Sequence, residues 1–239
     1  MVSHFGLRIV SLFYIGSKVE CPVCGSKFRS FLPYGRLKSR SNALCPHCLS
    51  LERHRLIWLY LQEKTDFFTA ERKMLHIAPE HCFINRFEAM ENLEYLTADI
   101  ESPLAKIKMD IHDIPLDDDS IDVIFCNHVL EHVKDDFQAL REMKRVLKPE
   151  GWAILQIPFF YPLKEETYED PSIVDPKERE KAFGQDDHVR MYGKDYGKRL
   201  ASVGFEVVAE NFAKELPTDT VARHALPVEE VIYKVVKSA

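Results

Sequence analysis

No stretch of this chain approaches the roughly 18 consecutive apolar residues that a membrane-spanning helix needs, so no membrane insertion is predicted. The apolar N-terminal residues are interrupted by Arg8 and run into Cys21 without the small-residue cleavage site of an export signal. Together these absences predict a cytoplasmic protein. Cysteine is scarce as well: of six, four fall into two close pairs, and only Cys82 and Cys126 stand outside them. Overall positive charge is missing, since the net charge is −6.

What is present divides unevenly. Residues 1–60 hold nine Lys and Arg against two Asp and Glu, a balance of +7, which leaves −13 for the rest. Charge is thus segregated between two modules. With 239 residues, 46% of them hydrophobic and 29% charged, the chain suffices for one α/β domain plus a small appended unit.

Cys21-Pro22-Val23-Cys24 and Cys45-Pro46-His47-Cys48 form two C-x2-C knuckles separated by twenty residues. That spacing suits one tetrahedral zinc ion held by four thiolates. Two disulfides are the competing explanation, and a reducing compartment disfavours them. Gly25 supplies the backbone freedom a knuckle turn wants, and residues 26–44 would form the hairpin of a zinc ribbon over residues 1–50. Nearby Lys and Arg would offset the −2 that four cysteinates leave on Zn2+. The ribbon either only holds its own fold together or docks a macromolecule such as RNA through Arg29, Arg36, Lys38 and Arg40.

Ser50 reads as the N-cap of a helix over residues 51–64, part of a connecting segment 51–72. Beyond it, short apolar runs at 73–77, 95–99, 121–126, 152–157, 205–208 and 231–236 alternate with helical patterns. The alternation predicts a mostly parallel sheet wrapped by helices over residues 73–239. One unit is explicit: Asp135 or Asp136 caps a helix with Phe137, Leu140, Met143 and Leu147 on its apolar face, and Pro149 and Gly151 end it. Ligands in such folds bind beyond the carboxyl ends of the strands, which directs attention to Asp99, Asp110 and Asn127. Asp99 lies about 20 residues past the first strand, where a carboxylate commonly meets a ribose.

The ordered motifs of this region resemble the class I S-adenosylmethionine-dependent methyltransferases, a Rossmann-like family with a sheet of about seven strands, and in particular its type 11 branch, which includes quinone-biosynthesis enzymes. The matching residues are Asp99; Asp110-Ile111 followed by Ile114-Pro115-Leu116 and an acidic turn to Ser120; residues 121–133 with their Leu130-Glu131-His132-Val133 step; Val146-Leu147-Lys148-Pro149-Glu150-Gly151; and Gly204-Phe205. The resemblance covers roughly residues 73–237. It implies that Asp99 and Ile100 meet the cofactor ribose and its surroundings, that Asp110 and Ile111 meet the adenine, and that Asn127 borders the same pocket. In one motif the chain departs from the family: the glycine-rich turn is replaced by Leu75-His76-Ile77-Ala78-Pro79-Glu80-His81-Cys82, with all three glycines gone. Ala78 substitutes sterically, His76 and Glu80 join the cofactor-binding candidates, and Glu80 offers a carboxylate to the ammonium of the cofactor's methionine part.

His128-Val129-Leu130-Glu131-His132 also spells H-x-x-E-H, a helical zinc-protease signature. Its place directly after a buried strand opposes that role, and His132 with Glu131 is expected instead to fix a helix start. Residues 158–195 form a long charged insertion, expected to be a lid over the acceptor site. Within it His188 is the first candidate for a catalytic base, with His128 the second, while Arg190 and Tyr192 are candidates for binding substrate. His188 and Arg190 could equally hydrogen-bond the lid to itself. The leading acceptor is a small or carbohydrate-type molecule. RNA is the alternative, favoured by the basic ribbon and opposed by the −13 of the main domain; a non-catalytic scaffold with a degenerate cofactor site is the third reading.

Overall fold

The computed structural model describes residues 11–35 and 39–238. In chain order the elements are β1 (Ile15–Glu20), β2 (Lys27–Phe28), β3 (Leu32–Tyr34), β4 (Arg40–Leu44), α1 (Glu52–Lys64), β5 (Arg72–Ile77), α2 (His81–Glu88), β6 (Leu93–Asp99), β7 (Ile107–Lys108) and β8 (Ile121–Asn127). Then follow α3 (Asp136–Val146), β9 (Leu147–Gln156), β10 (Tyr168–Glu169), α4 (Pro176–Phe183), β11 (Arg190–Met191), α5 (Tyr196–Ser202), β12 (Phe205–Glu210), α6 (Thr218–His224) and β13 (Ile232–Lys237).

These elements sort into two compact units whose borders differ from the expected 1–50, 51–72 and 73–239. The first takes the described residues up to Ala70 together with Glu80–Asn92 and Glu210–Val231; the second takes Glu71–Pro79, Leu93–Ala209 and Ile232 onward. The cysteine-bearing module therefore recruits α2 and α6 from distant sequence. A segment as short as the ribbon cannot bury a core alone, and α1 supplies apolar residues such as Leu56, Ile57 and Leu61 that need partners. Part of that partnership is aromatic: Trp58 stacks at 6.1 Å on Phe87 of α2, and Tyr60 meets Phe212 edge-on at 5.4 Å.

In the ribbon, one predicted hairpin becomes two small antiparallel pairs, β1 with β2 and β3 with β4. Each knuckle closes the same way: the N–H of Gly25 donates to Cys21 O at 2.8 Å, and that of Leu49 donates to Cys45 O at 3.0 Å. Both closing residues have left-handed backbones, φ 71° at Gly25 and 65° at Leu49, so the second knuckle adopts without glycine what the first does with it.

The second unit is a seven-stranded sheet in the order β12-β13-β9-β8-β5-β6-β7, with β13 antiparallel to β9 and the β9-β8-β5-β6-β7 run parallel. Every predicted strand is present, and β7 is an addition too short to read from sequence. The core lies on the buried faces of β5, β8 and β9, where Leu75, Ile124, Ala153 and Leu155 pack with Leu140 and Met143 of α3. Asp135 caps α3 by accepting from the N–H of Gln138 at 2.9 Å. The helix ends at Val146, and β9 begins at once with Leu147, carrying Pro149 through a register shift against β8. Phe137 is only half-buried, under the Arg199 guanidinium at 4.4 Å, while Ala139 and Val146 complete the buried face.

Candidate functional site

In the first unit four thiols converge. Cys21 Sγ lies 3.6 Å from Cys48 Sγ, and Cys24 Sγ lies 3.8 Å from Cys45 Sγ. A disulfide needs about 2.05 Å, whereas a tetrahedral ion with Zn–S bonds near 2.3 Å holds its sulfurs about 3.8 Å apart. The ligand atoms of all four lie within 4.8 Å of one another. Hydrogen bonding to sister sulfurs holds Cys24 below the usual thiol range and pushes Cys48 above it.

Ser50 does not cap α1; Leu51 does, through its N–H to His54 Nδ1 at 3.1 Å. The Ser50 hydroxyl instead reaches the sulfurs, 3.1 Å from Cys21 and 3.3 Å from Cys48. Beside them Arg55, fully buried, donates to the carbonyls of Ala43 at 2.9 Å, Ser50 at 3.1 Å, His224 at 2.7 Å and Ala225 at 3.0 Å. Burial lowers its pKa, and the nearby Cys21 charge is the leading opposing influence. One cation thus satisfies four backbone acceptors and offsets sulfur charge, a role that sequence reasoning missed because two of its partners are 169 and 170 residues away. Among the proposed docking cations, Arg40 is paired with Glu52 at 2.8 Å and Arg29 lies over the Tyr14 ring at 5.2 Å; Arg36 and Lys38 fall outside the described residues. Glu80 N-caps α2, and its carboxylate lies 3.9 Å from His54 Nε2 of α1.

In the second unit the strand order reverses between β5 and β8, which makes their carboxyl ends the crevice-forming edge. Ala78 follows β5 at φ 49°, and its N–H donates to Ala98 O at 2.8 Å. The left-handed turn that glycine would serve is therefore retained, carried by alanine. His128 follows β8 at φ 55°, its N–H bound to Gln156 O at 2.7 Å. Asp99 closes β6; its Oδ1 accepts from the N–H groups of Glu101 at 2.8 Å and Ser102 at 2.7 Å, which fixes the loop and orients the carboxylate. Ile100 beside it is 56% exposed, an apolar side chain held open at a strand end. Asp110 Oδ1 accepts from the His112 backbone at 2.9 Å and lies 2.6 Å from His112 Nδ1; the backbone bond is the main reason its pKa falls.

Residues 71–155 match the model of the type 11 methyltransferase domain. Over that segment, about a third of the chain, the sequence is similar to a methyltransferase domain. Over 57 residues the chain is 44% identical to an uncharacterized 37.1 kDa protein in transposon TN4556 of Streptomyces fradiae; that match spans 23% of this chain and 16% of its relative's length. Similar solved structures include an S-adenosylmethionine-dependent methyltransferase from Mesorhizobium loti, at 15% identity and TM-score 0.48 over 75% of this chain and 96% of that one. Another is from Aquifex aeolicus, at 17% identity and TM-score 0.43 over 71% and 82% of the two chains.

Within the second unit, several candidates occupy positions other than those expected. His76 is not at the cofactor edge: it is buried inside the sheet, 2.7 Å from the Tyr95 hydroxyl and edge-on to Phe125. Ile111 is buried in the core, and Asn127 is buried opposite Gln156 in register. Residues 128–134 form a turn, and α3 starts only after it, so His128 and His132 do not share a helical face. Arg190 and Tyr192 are buried and committed to protein. Arg190 donates to the carbonyls of Leu130 at 2.5 Å, Val133 at 2.6 Å and Lys134 at 3.1 Å, and Tyr192 donates to Asp136 at 2.8 Å. They clamp the 128–134 turn rather than a substrate.

That turn carries the titratable groups. His128 Nδ1 lies 3.4 Å from the buried Glu131 carboxylate. His188, from the insertion, is fully buried, 3.1 Å through Nδ1 from Phe183 O, and burial is the main cause of its lowered pKa. Two further residues escaped sequence reasoning. Glu142 Oε2 accepts from Ile114 N–H at 2.9 Å, and Arg145 donates to Ile114 O at 2.7 Å and Leu116 O at 2.8 Å, so α3 pins the loop that follows Asp110. Their spacing on α3 reads as an ordinary surface pair.

Proposed function

We propose that this protein transfers a methyl group from S-adenosylmethionine to a small-molecule or carbohydrate-type acceptor, in a reducing cytoplasmic setting that keeps its cysteines as thiols. The observation that carries this reading is the Asp99 carboxylate at the end of β6, with Ile100 exposed beside it and a left-handed Ala78 at the end of neighbouring β5. Asp99 Oδ1 is occupied by loop N–H groups, and Oδ2 would accept from the ribose hydroxyls. Ile100 would pack on the adenine, with Asp110 on its other side. The backbone turn at Ala78 would face the methionine part.

S-adenosylmethionine, when bound, supplies a methyl group on a good leaving group, so the protein has mainly to align the nucleophile and take its proton. His128 suits the proton-acceptor role. It stands at a strand end, partly exposed, with Glu131 against its Nδ1 to orient the ring. The four cysteines are proposed to hold zinc, which their sulfur spacing fits, and to use it to build the first unit. The pairing of Arg40 with Glu52 and the acidic remainder of the chain favour a small acceptor over RNA.

Calorimetric titration with S-adenosylmethionine and S-adenosylhomocysteine tests this directly. Micromolar binding that Asp99→Ala weakens about 10–100-fold, the worth of a charged hydrogen-bonding pair, supports the reading. No binding of either ligand overturns it. RNA binding that falls steeply with salt would instead overturn the small-acceptor assignment.

A further inference from the structure

The H-x-x-E-H run is no metalloprotease helix, yet the turn it forms meets the insertion in a way that the motif does not anticipate. The N–H of Val189 donates to Glu131 O at 2.9 Å, tying the chain beside His188 to the turn. Glu131, His132 and His188 then each present one ligand-capable atom, all within 4.8 Å of one another. His132 and His188 meet edge-on, ring centroids 4.7 Å apart at 85°.

The tautomer of His188 is set by its surroundings. Phe183 O can only accept, so Nδ1 carries the proton, and Nε2 is left with its lone pair. That nitrogen is buried and has no hydrogen-bond partner among the described residues. His132 is arranged similarly: Nε2 lies 3.9 Å from Glu131 Oε1, and Nδ1 lies 3.4 Å from Asp187 Oδ2. Each histidine thus turns one nitrogen toward the cluster and the other toward a carbonyl or carboxylate, the outer arrangement of metal-binding histidines.

We propose that Glu131, His132 and His188 form a second, cysteine-free site for a divalent first-row transition ion such as Zn2+. Two imidazole nitrogens and one carboxylate are the donor set of zinc and non-haem iron sites that keep a coordination position open. An ion pair between Glu131 and His132 would account for the carboxylate but leaves the buried His188 Nε2 with nothing to do, whereas a cation satisfies all three. Bonds near 2.1 Å place tetrahedral donors about 3.4 Å apart, so the three must draw in modestly, and His132, with 34% of its side chain exposed, has room to move. With His188 engaged as a ligand, His128 keeps the role of base. The site rests on side-chain geometry alone and not on the methyl-transfer reading.

The test uses the full chain with its four-cysteine site already filled with zinc, titrated with Co2+ by calorimetry and visible absorption. The expected result is one further equivalent bound, with d–d bands and no near-ultraviolet thiolate charge-transfer band. His132→Ala, at a partly exposed position and checked for folding by circular dichroism, should weaken that binding by more than about 100-fold, beyond the 10–100-fold typical of losing an outer hydrogen-bond partner. Glu131→Gln should do the same. No uptake of Co2+ by the zinc-loaded protein, a charge-transfer band showing that Co2+ sits on sulfur, or equal affinity in His132→Ala would each overturn the proposal.

Discussion

Ala78 and His128 end two adjacent parallel strands with nearly the same left-handed backbone, φ 49° and 55°. A non-glycine residue there brings its Cβ close to a carbonyl oxygen at a cost of roughly 1–2 kcal/mol. Strain of this kind persists where the surrounding structure over-determines it, commonly at functional edges. Here it falls on both sides of the point where the sheet reverses its strand order.

Replacing Ala78 by glycine is therefore expected to stabilise the protein by about 1 kcal/mol. Ala78→Val should destabilise it, since a branched side chain tolerates positive φ worse. Urea unfolding with an unchanged m-value would measure both. His128→Asn, a residue at ease in that conformation, should leave the midpoint near wild type while removing the proposed base, so that turnover falls and cofactor affinity does not.

Removal of the ion proposed for Cys21, Cys24, Cys45 and Cys48 should unfold the ribbon rather than merely empty it, because so short a segment has little core of its own. Cys21→Ser is expected to lower bound zinc by one per chain and to release structure detectable by circular dichroism. Unchanged spectra after chelation would show that the ribbon folds without metal.

Arg55 and Arg190 should behave as structural cations. Arg190→Met strands the carbonyls of Leu130, Val133 and Lys134, a loss of about 3 kcal/mol. Arg190→Lys should rescue little, because an ammonium cannot span those acceptors as a planar guanidinium does. Arg190→Met with unaltered stability and a raised KM would restore a substrate-binding role.

Glu142 links stability to acidity. Its hydrogen bond with Arg145 is the main reason its pKa lies below the ordinary 4.5. A carboxylate with a lowered folded-state pKa contributes stability in full above its unfolded value, and the contribution disappears as pH falls through the folded value. The stability gap between wild type and Glu142→Gln should therefore be present at pH 7 and shrink steadily below about pH 4.5. A gap independent of pH would mean that the carboxylate contributes by shape alone.

The sequence by itself determined the elements whose causes are local. Apolar runs placed the strands, Asp135 announced a helix start, Gly25 a knuckle turn, and the two C-x2-C pairs a tetrahedral donor set. The ordered motifs from Asp99 to Gly151 pointed to the methyltransferase sheet, which the strand order bears out. Only tertiary structure decided what depends on distant partners. It turned Ser50 from a helix cap into a neighbour of the Cys21 and Cys48 sulfurs, gave Arg55 its carbonyls from α6, and sent His76 into the sheet beside Tyr95. It also moved Arg190 and Tyr192 from the substrate to the 128–134 turn and brought His188 to Glu131 and His132. Periodicity and spacing report only which residues are neighbours along the chain, whereas a buried polar group takes whatever partner the packed fold places within hydrogen-bonding reach.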